Sequence, residues 1–144
     1  MKRDEALALL SRDHHQALAR ALRLRRATSD DAADVGGDVL AFWTGQGARH
    51  FRIEEEILLP ACAHRIDPAR AEVARVLTDH VWIRARMDRL EAGDLDLDRM
   101  HELGKRLDAH VRHQDRVLFP LIEESLEPTE LLALGAAIAD AERG

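Results

Sequence analysis

The chain has 144 residues, a single cysteine, Cys62, and no tyrosine. One thiol can form neither a disulfide framework nor a cysteine-based zinc site, and a reducing cytosol suits it best. No run approaches the roughly 18 apolar residues of a membrane span. The opening MKRDEALALL leads into the charged stretch SRDHH, with no apolar segment or small-residue cleavage site, so neither export nor membrane insertion is expected. An excess of positive charge is also missing. Asp plus Glu number 27 against 21 Lys plus Arg, a formal net charge of −6 that gives no global pull toward nucleic acid or anionic lipid. The group Arg20, Arg23, Arg25 and Arg26 reads as the solvated last turn of a helix, where positive charge complements the dipole. There is no Gly-rich phosphate loop, no Ser-His-Asp spacing and no Cys/His zinc pattern.

What the chain does have is helix-forming composition. Ala, Leu, Arg, Asp and Glu dominate, and β-branched residues rarely alternate with polar ones. At 46% hydrophobic, residues 1–144 suit one domain with a real core. Apolar residues at Leu7, Leu10, Ala17, Leu18, Ala21 and Leu24 predict a first helix from Asp4 to about Ala27. A second is expected from a cap at Ser29 or Asp30 to about Ala61, weakened in its first half by Gly36, Gly37, Gly45 and Gly47. Asp67-Pro68 predicts the opening of a third helix that Gly93 ends. Asp94 or Asp96 opens a fourth through Leu126, and Pro128-Thr129-Glu130 a short fifth to about Glu142. Pro60 and Pro120 are expected to kink or end their helices. Four long helices with short connections imply an all-α fold, an up-down-up-down antiparallel four-helix bundle with a short C-terminal fifth helix.

One segment recurs. HFRIEEEILLP at residues 50–60 returns as HVRHQDRVLFP at residues 110–120, with His, Arg, Leu and Pro in matching places. The histidines of these copies lie on apolar stripes, His50 with Trp43, Glu54 and Leu58, and His110 with Leu103, Leu107, Leu118 and Leu121. His14 is in phase with Leu7, Leu10, Leu18 and Ala21, and His80 with Val73, Val76, Leu77, Ile83 and Met87. Each long helix thus turns one imidazole inward. A bundle core has no water to solvate four imidazoles and a carboxylate, so they must satisfy one another or share a cation. Nitrogen and oxygen donors without thiolate suit iron, manganese or zinc.

DHH at 13–15, HFRIEEEILLP, DH at 79–80 and HVRHQDRVLFP together resemble the hemerythrin-like HHE cation-binding family, over residues 5 to about 125. The resemblance implies two non-haem iron ions joined by two carboxylates and an oxo or hydroxo bridge, with histidines at the ends and zinc or manganese as substitutes. Each copy of the repeat would supply one terminal imidazole and one bridging acid. The implied ligand is a small oxidant or diatomic molecule, namely dioxygen, nitric oxide or peroxide; no nucleic acid or membrane partner is expected.

The pattern departs from the family in two places. HxxxE is intact at His50 and Glu54, but the second copy reads His110 and Gln114. A neutral carboxamide is a poor bridge. Hemerythrins use HxxxxD in their last helix, which favours Asp115 as the second acid over Gln114, although an i+5 residue is turned about 140° and needs a local π-bulge. The metal set implied is therefore His14, His50, Glu54, His80, His110 and Asp115. Helix three carries one histidine where hemerythrins carry two, since Val76 and Arg84 flank His80 at four residues. The vacancy favours sensing, oxidation chemistry or iron handling over reversible oxygen carriage.

His15, about 100° round the helix from His14, is expected outside the site, His64 and His101 on the surface, and His113 beside the site, partly exposed. Asp13 and Asp79 are expected as surface carboxylates, with support of a neighbouring ring N–H as the alternative. Two competing classes follow. A ferritin-like iron or substrate oxidase uses Glu-x-x-His, the reverse of the order here, and a metal-free interaction module would leave the histidines bonded to core carboxylates.

Overall fold

The computed structural model describes residues 2–144, and among these every regular element is helical. Five helical rods follow in order: α1 (Glu5–Arg25), α2 (residues 32–62), α3 (Ala71–Glu91), α4 (residues 97–125) and α5 (Pro128–Arg143). α2 contains two π-helical turns, Trp43–Gly47 and Glu54–Leu58, and α4 one, Gln114–Leu118. Among the described residues no helix is long and apolar enough to cross a membrane.

The ends follow local chemistry. The Asp4 carboxylate accepts from the Ala6 N–H at the start of α1, and Arg23 and Arg25 occupy its last turn, where the dipole favours them. Asp96 caps α4 by accepting from the Arg99 N–H, and Glu127 with Glu130 forms a capping box at α5. Gly93, at φ 73°, takes the left-handed turn that closes α3. The expected third-helix start is displaced. Asp67 accepts from the Ala69 N–H, which folds residues 67–70 into a turn, and α3 begins only at Ala71. At α2, Ala32 is the first helical residue; the preceding Asp31 turns its carboxylate back to the N–H and hydroxyl of Thr28. The glycines do not break α2, and Gly36 lets the Leu90 side chain close in, since a Cβ there would sit 3.3 Å from Leu90 Cδ1.

Neither proline ends its helix. In the π turns the Leu59 N–H bonds to the Glu54 carbonyl and the Phe119 N–H to the Gln114 carbonyl, five residues back. Pro60 and Pro120 come next, and the widened turn relieves the clash between a proline ring and the carbonyl four residues before it. The extra residue in each turn also buries consecutive pairs, Leu58 with Leu59 and Leu118 with Phe119.

α1 lies along α4 and also touches α2 and α5, while α3 contacts α2 and α4. Two apolar clusters fill the interior. One contains Leu7 and Leu10 of α1, Leu58 of α2, Val76 of α3 and Leu118 and Ile122 of α4, with Ile138 of α5. The other contains Ala21 and Leu24 of α1, Val39 of α2, Ile83 and Met87 of α3 and Leu103 and Leu107 of α4. Each fully buried Leu or Ile contributes about 1.5–3 kcal/mol of transfer free energy. Leu77 departs from its expected place and is 37% exposed. Between the two clusters, every one of the first four helices turns a polar residue inward.

Candidate metal centre

His14, His50, His80 and His110 are all buried, and so is Glu54 at 0% exposure. Their donor atoms form two groups, His14, His50 and Glu54 in one and Glu54, His80 and His110 in the other, each with donors within 4.8 Å of one another. Glu54 is common to both. Its Oε1 lies 3.1 Å from His80 Nε2 and its Oε2 3.3 Å from His50 Nε2. These distances would suit hydrogen bonds, but the directions do not: both Glu54 oxygens, His80 Nε2 and His110 Nε2 have no aligned partner although fully buried. Buried polar atoms are rarely left so. Buried donor atoms that converge without aligned partners are arranged for a cation, and the residues present fit one.

The other face of each ring explains the aim. Asp13 of α1 meets His50 Nδ1 of α2 at 3.1 Å, and Glu55 of α2 meets His80 Nδ1 of α3 at 2.6 Å. Asp79 of α3 meets His110 Nδ1 of α4 at 3.1 Å, and Asp115 of α4 meets His14 Nδ1 of α1 at 2.7 Å. The four contacts close a ring through all four helices. In every case the carboxylate is the chain neighbour of an inward residue: Asp13 beside His14, Glu55 beside Glu54, Asp79 beside His80, Asp115 beside Gln114. A carboxylate accepting from Nδ1–H fixes the tautomer and leaves Nε2 free to bind metal. Arg84 donates to both Glu55 oxygens at 2.9 and 3.1 Å, and Arg106 Nε to Asp79 at 2.8 Å, so two carboxylates are themselves held. Phe51 stacks on His80 with ring centres 3.8 Å apart, and Phe119 on His14 at 5.4 Å.

Electrostatics follow the same plan. Burial works against a charged His50, yet Glu54 and Asp13 outweigh it and push its pKa up to about 10. Burial likewise opposes charge on Glu54, but His50 and His80 hold its carboxyl well below the usual range. Burial pushes His110 down, against the pull of Asp79. Burial opposes charge on Asp79 as well, and His110 with Arg106 nevertheless holds its carboxyl low. The buried Glu54 charge is thus balanced by a proton on His50.

Of the residues expected from sequence, His14, His50, Glu54, His80 and His110 come together, and Asp115 lies apart from their Nε2 side. Its side chain is 34% exposed behind the His14 ring. Gln114 is fully buried, with Oε1 2.8 Å from His14 Nε2 and no partner for its Nε2. The physical reason is phase. α4 is regular through His113, so residue 114 inherits the i+4 position, and the π turn begins there, too late to rotate residue 115 inward.

Asp13 and Asp79 are the ring supports of the alternative reading, and Asp79 is buried. Glu55 was missed; its only signal in the sequence is the acidic run Glu54-Glu55-Glu56 on an inward-facing turn. His113 is buried and 2.9 Å from the Glu72 carbonyl, where it tethers α4 to α3. His15 and His64 are exposed, whereas His101 is half-buried with Nε2 2.7 Å from the Ala27 carbonyl. A narrow, mostly apolar cavity opens beside the centre. His14, His50, His110 and Gln114 line it with Trp43, Phe51 and Met87; His80 and Glu54 do not reach it.

The profile of one protein family, described as the Hemerythrin HHE cation binding domain, matches residues 6–122. No curated protein and no solved structure matches the chain.

Proposed function

This chain belongs to the hemerythrin HHE cation-binding family, and from that premise we propose that its buried histidine and carboxylate cluster binds two non-haem irons. His14 and His50 would hold one and His80 and His110 the other, with Glu54 common to both groups. Zinc or manganese can take the same nitrogen and oxygen donors. Bound iron would supply redox chemistry and an open position for dioxygen, nitric oxide or peroxide, which the protein binds, senses or reacts with.

The chain's own residues set the conditions. Asp13, Glu55, Asp79 and Asp115 orient the four imidazoles, and Phe51 and Phe119 exclude water from the faces of two of them. The apolar cavity would admit a small neutral ligand beside His14, His50 and His110. The order in which the helices meet the two apolar clusters, opposite in α1 and α3 to that in α2 and α4, supports an up-down-up-down antiparallel four-helix bundle within one domain. The single buried thiol suits a cytoplasmic setting.

One observation carries this reading: donor atoms of His14, His50 and Glu54, and of Glu54, His80 and His110, converge in two buried groups while the Nδ1 of each of the four rings is held by a carboxylate. Plasma emission on protein purified without a histidine tag or added metal, with an absorption spectrum, tests it. About two irons per chain with near-ultraviolet oxo-to-iron absorption is the expected result. Iron and zinc near zero, unchanged by anaerobic Fe(II), would remove the metal reading.

A further inference from the structure

The two halves of the centre do not meet an incoming ion on equal terms. On the His80 and His110 side, both Nε2 atoms and the facing Glu54 oxygen are buried and unpartnered. On the other side, His14 Nε2 already has a partner, the Gln114 carboxamide at 2.8 Å. Two proton arrangements satisfy this contact. A His14 imidazolium donates through Nε2 to the Gln114 oxygen, or the carboxamide, turned over, donates its N–H to a neutral ring. Either way the lone pair that would bind metal is in use. An acid at residue 114 would offer a charge to an ion, whereas this carboxamide offers only a neutral oxygen in return for the bond it gives up. The cavity touches His14, His50 and Gln114 of this side and only His110 of the other.

We propose that Gln114 is a lock on His14, which makes the centre fill in order: a first, tight ion at Glu54, His80 and His110, and a second, weaker ion at His14 and His50 once Gln114 releases the ring. The inference rests on the metal-binding reading above. It gives the chain a state with one metal at limiting supply, and it puts the exchangeable ion beside the cavity.

Co(II) tests the order, because its visible absorption reports nitrogen and oxygen ligation. Metal-free full-length protein is titrated anaerobically, by absorption and by calorimetry. Two phases of one ion each are expected, with the first at least about tenfold tighter, the worth of one buried hydrogen bond. His110→Ala removes the first phase; His14→Ala removes only the second. In Gln114→Leu, close in volume but unable to hydrogen-bond, the second phase tightens by about tenfold. Circular dichroism checks that each variant is helical, and the wild-type titration stands without any of them. Equal affinities, a first phase that depends on His14, or a second phase weakened by Gln114→Leu would each overturn the order of filling while leaving metal binding intact. Absence of any bound ion would instead overturn the metal reading, and this inference with it.

Discussion

Glu54→Gln isolates the electrostatic centre of the molecule. In metal-free protein Glu54 is fully buried and its charge is matched by His50, whose pKa stands at about 10 against an ordinary 6.5. A folded-state pKa above the unfolded value means that the stabilisation is fully present below about pH 6.5 and is lost as pH rises through about 10. The span of 10 − 6.5 units, at about 1.36 kcal/mol each, sets the loss at the order of 5 kcal/mol over the whole window. Both groups are buried, so solvent screening takes little from it. Urea denaturation of chelator-treated wild type from pH 6 to pH 9 should show stability falling by a few kcal/mol. Glu54→Gln should flatten the curve, because His50 loses the partner that raises it most and only Asp13 is left to oppose burial. Below pH 7 the variant should be no less stable than wild type, since a buried ion pair seldom outperforms a neutral replacement. Cys62, pushed up to about 11 by burial and Glu130, also weakens the fold at high pH, but equally in both proteins, so their difference is the readout. Metal-loaded wild type should lose the slope, because the ion replaces the proton. A flat curve for metal-free wild type, or an undiminished slope in Glu54→Gln, would refute the proposed charge balance.

Three further outcomes follow from the geometry. Asp79→Asn leaves every proposed ligand in place but weakens the support of His110 and the anchor to Arg106, so Co(II) affinity should fall about 10–100-fold with the helix content unchanged; an unaltered affinity would mean that the carboxylate is ornamental. Gly104→Ala drives a Cβ to 2.8 Å from the Ala21 carbonyl and should lower stability by about 1–3 kcal/mol in thermal melts, whereas Gly37→Ala meets nothing within 4 Å and should be neutral or stabilising. Cys62, 2% exposed with its thiol pushed up to about 11, should react with a thiol reagent at pH 8 far more slowly in native protein than in urea, and rapid native labelling would contradict its burial.

How much of this could be read from the chain alone depends on how local each cause is. Periodicity near 3.6 set one histidine on the apolar stripe of each long helix, since phase is a property of neighbours within two turns. Asp4, Asp96 and Gly93 mark helix ends for the same reason, as they satisfy backbone groups two or three residues away. The choice between Gln114 and Asp115 was less local. It turned on where the π turn begins, and that depends on how Pro120 and the packing of Leu118 and Phe119 are accommodated together. Asp67-Pro68 misled because its side chain serves a turn before the helix, a use indistinguishable from a cap until the next residues are placed.

By itself the sequence determined the helices, their inward histidines and the twofold recurrence of His, three residues and a polar group. Only the tertiary structure decided that Asp13, Glu55, Asp79 and Asp115 each serve the next helix's imidazole, and that Gln114 holds His14. The reason is distance along the chain. These partners lie between 25 and 101 residues apart, and no periodicity relates a carboxylate to a ring that meets it only when separate helices pack.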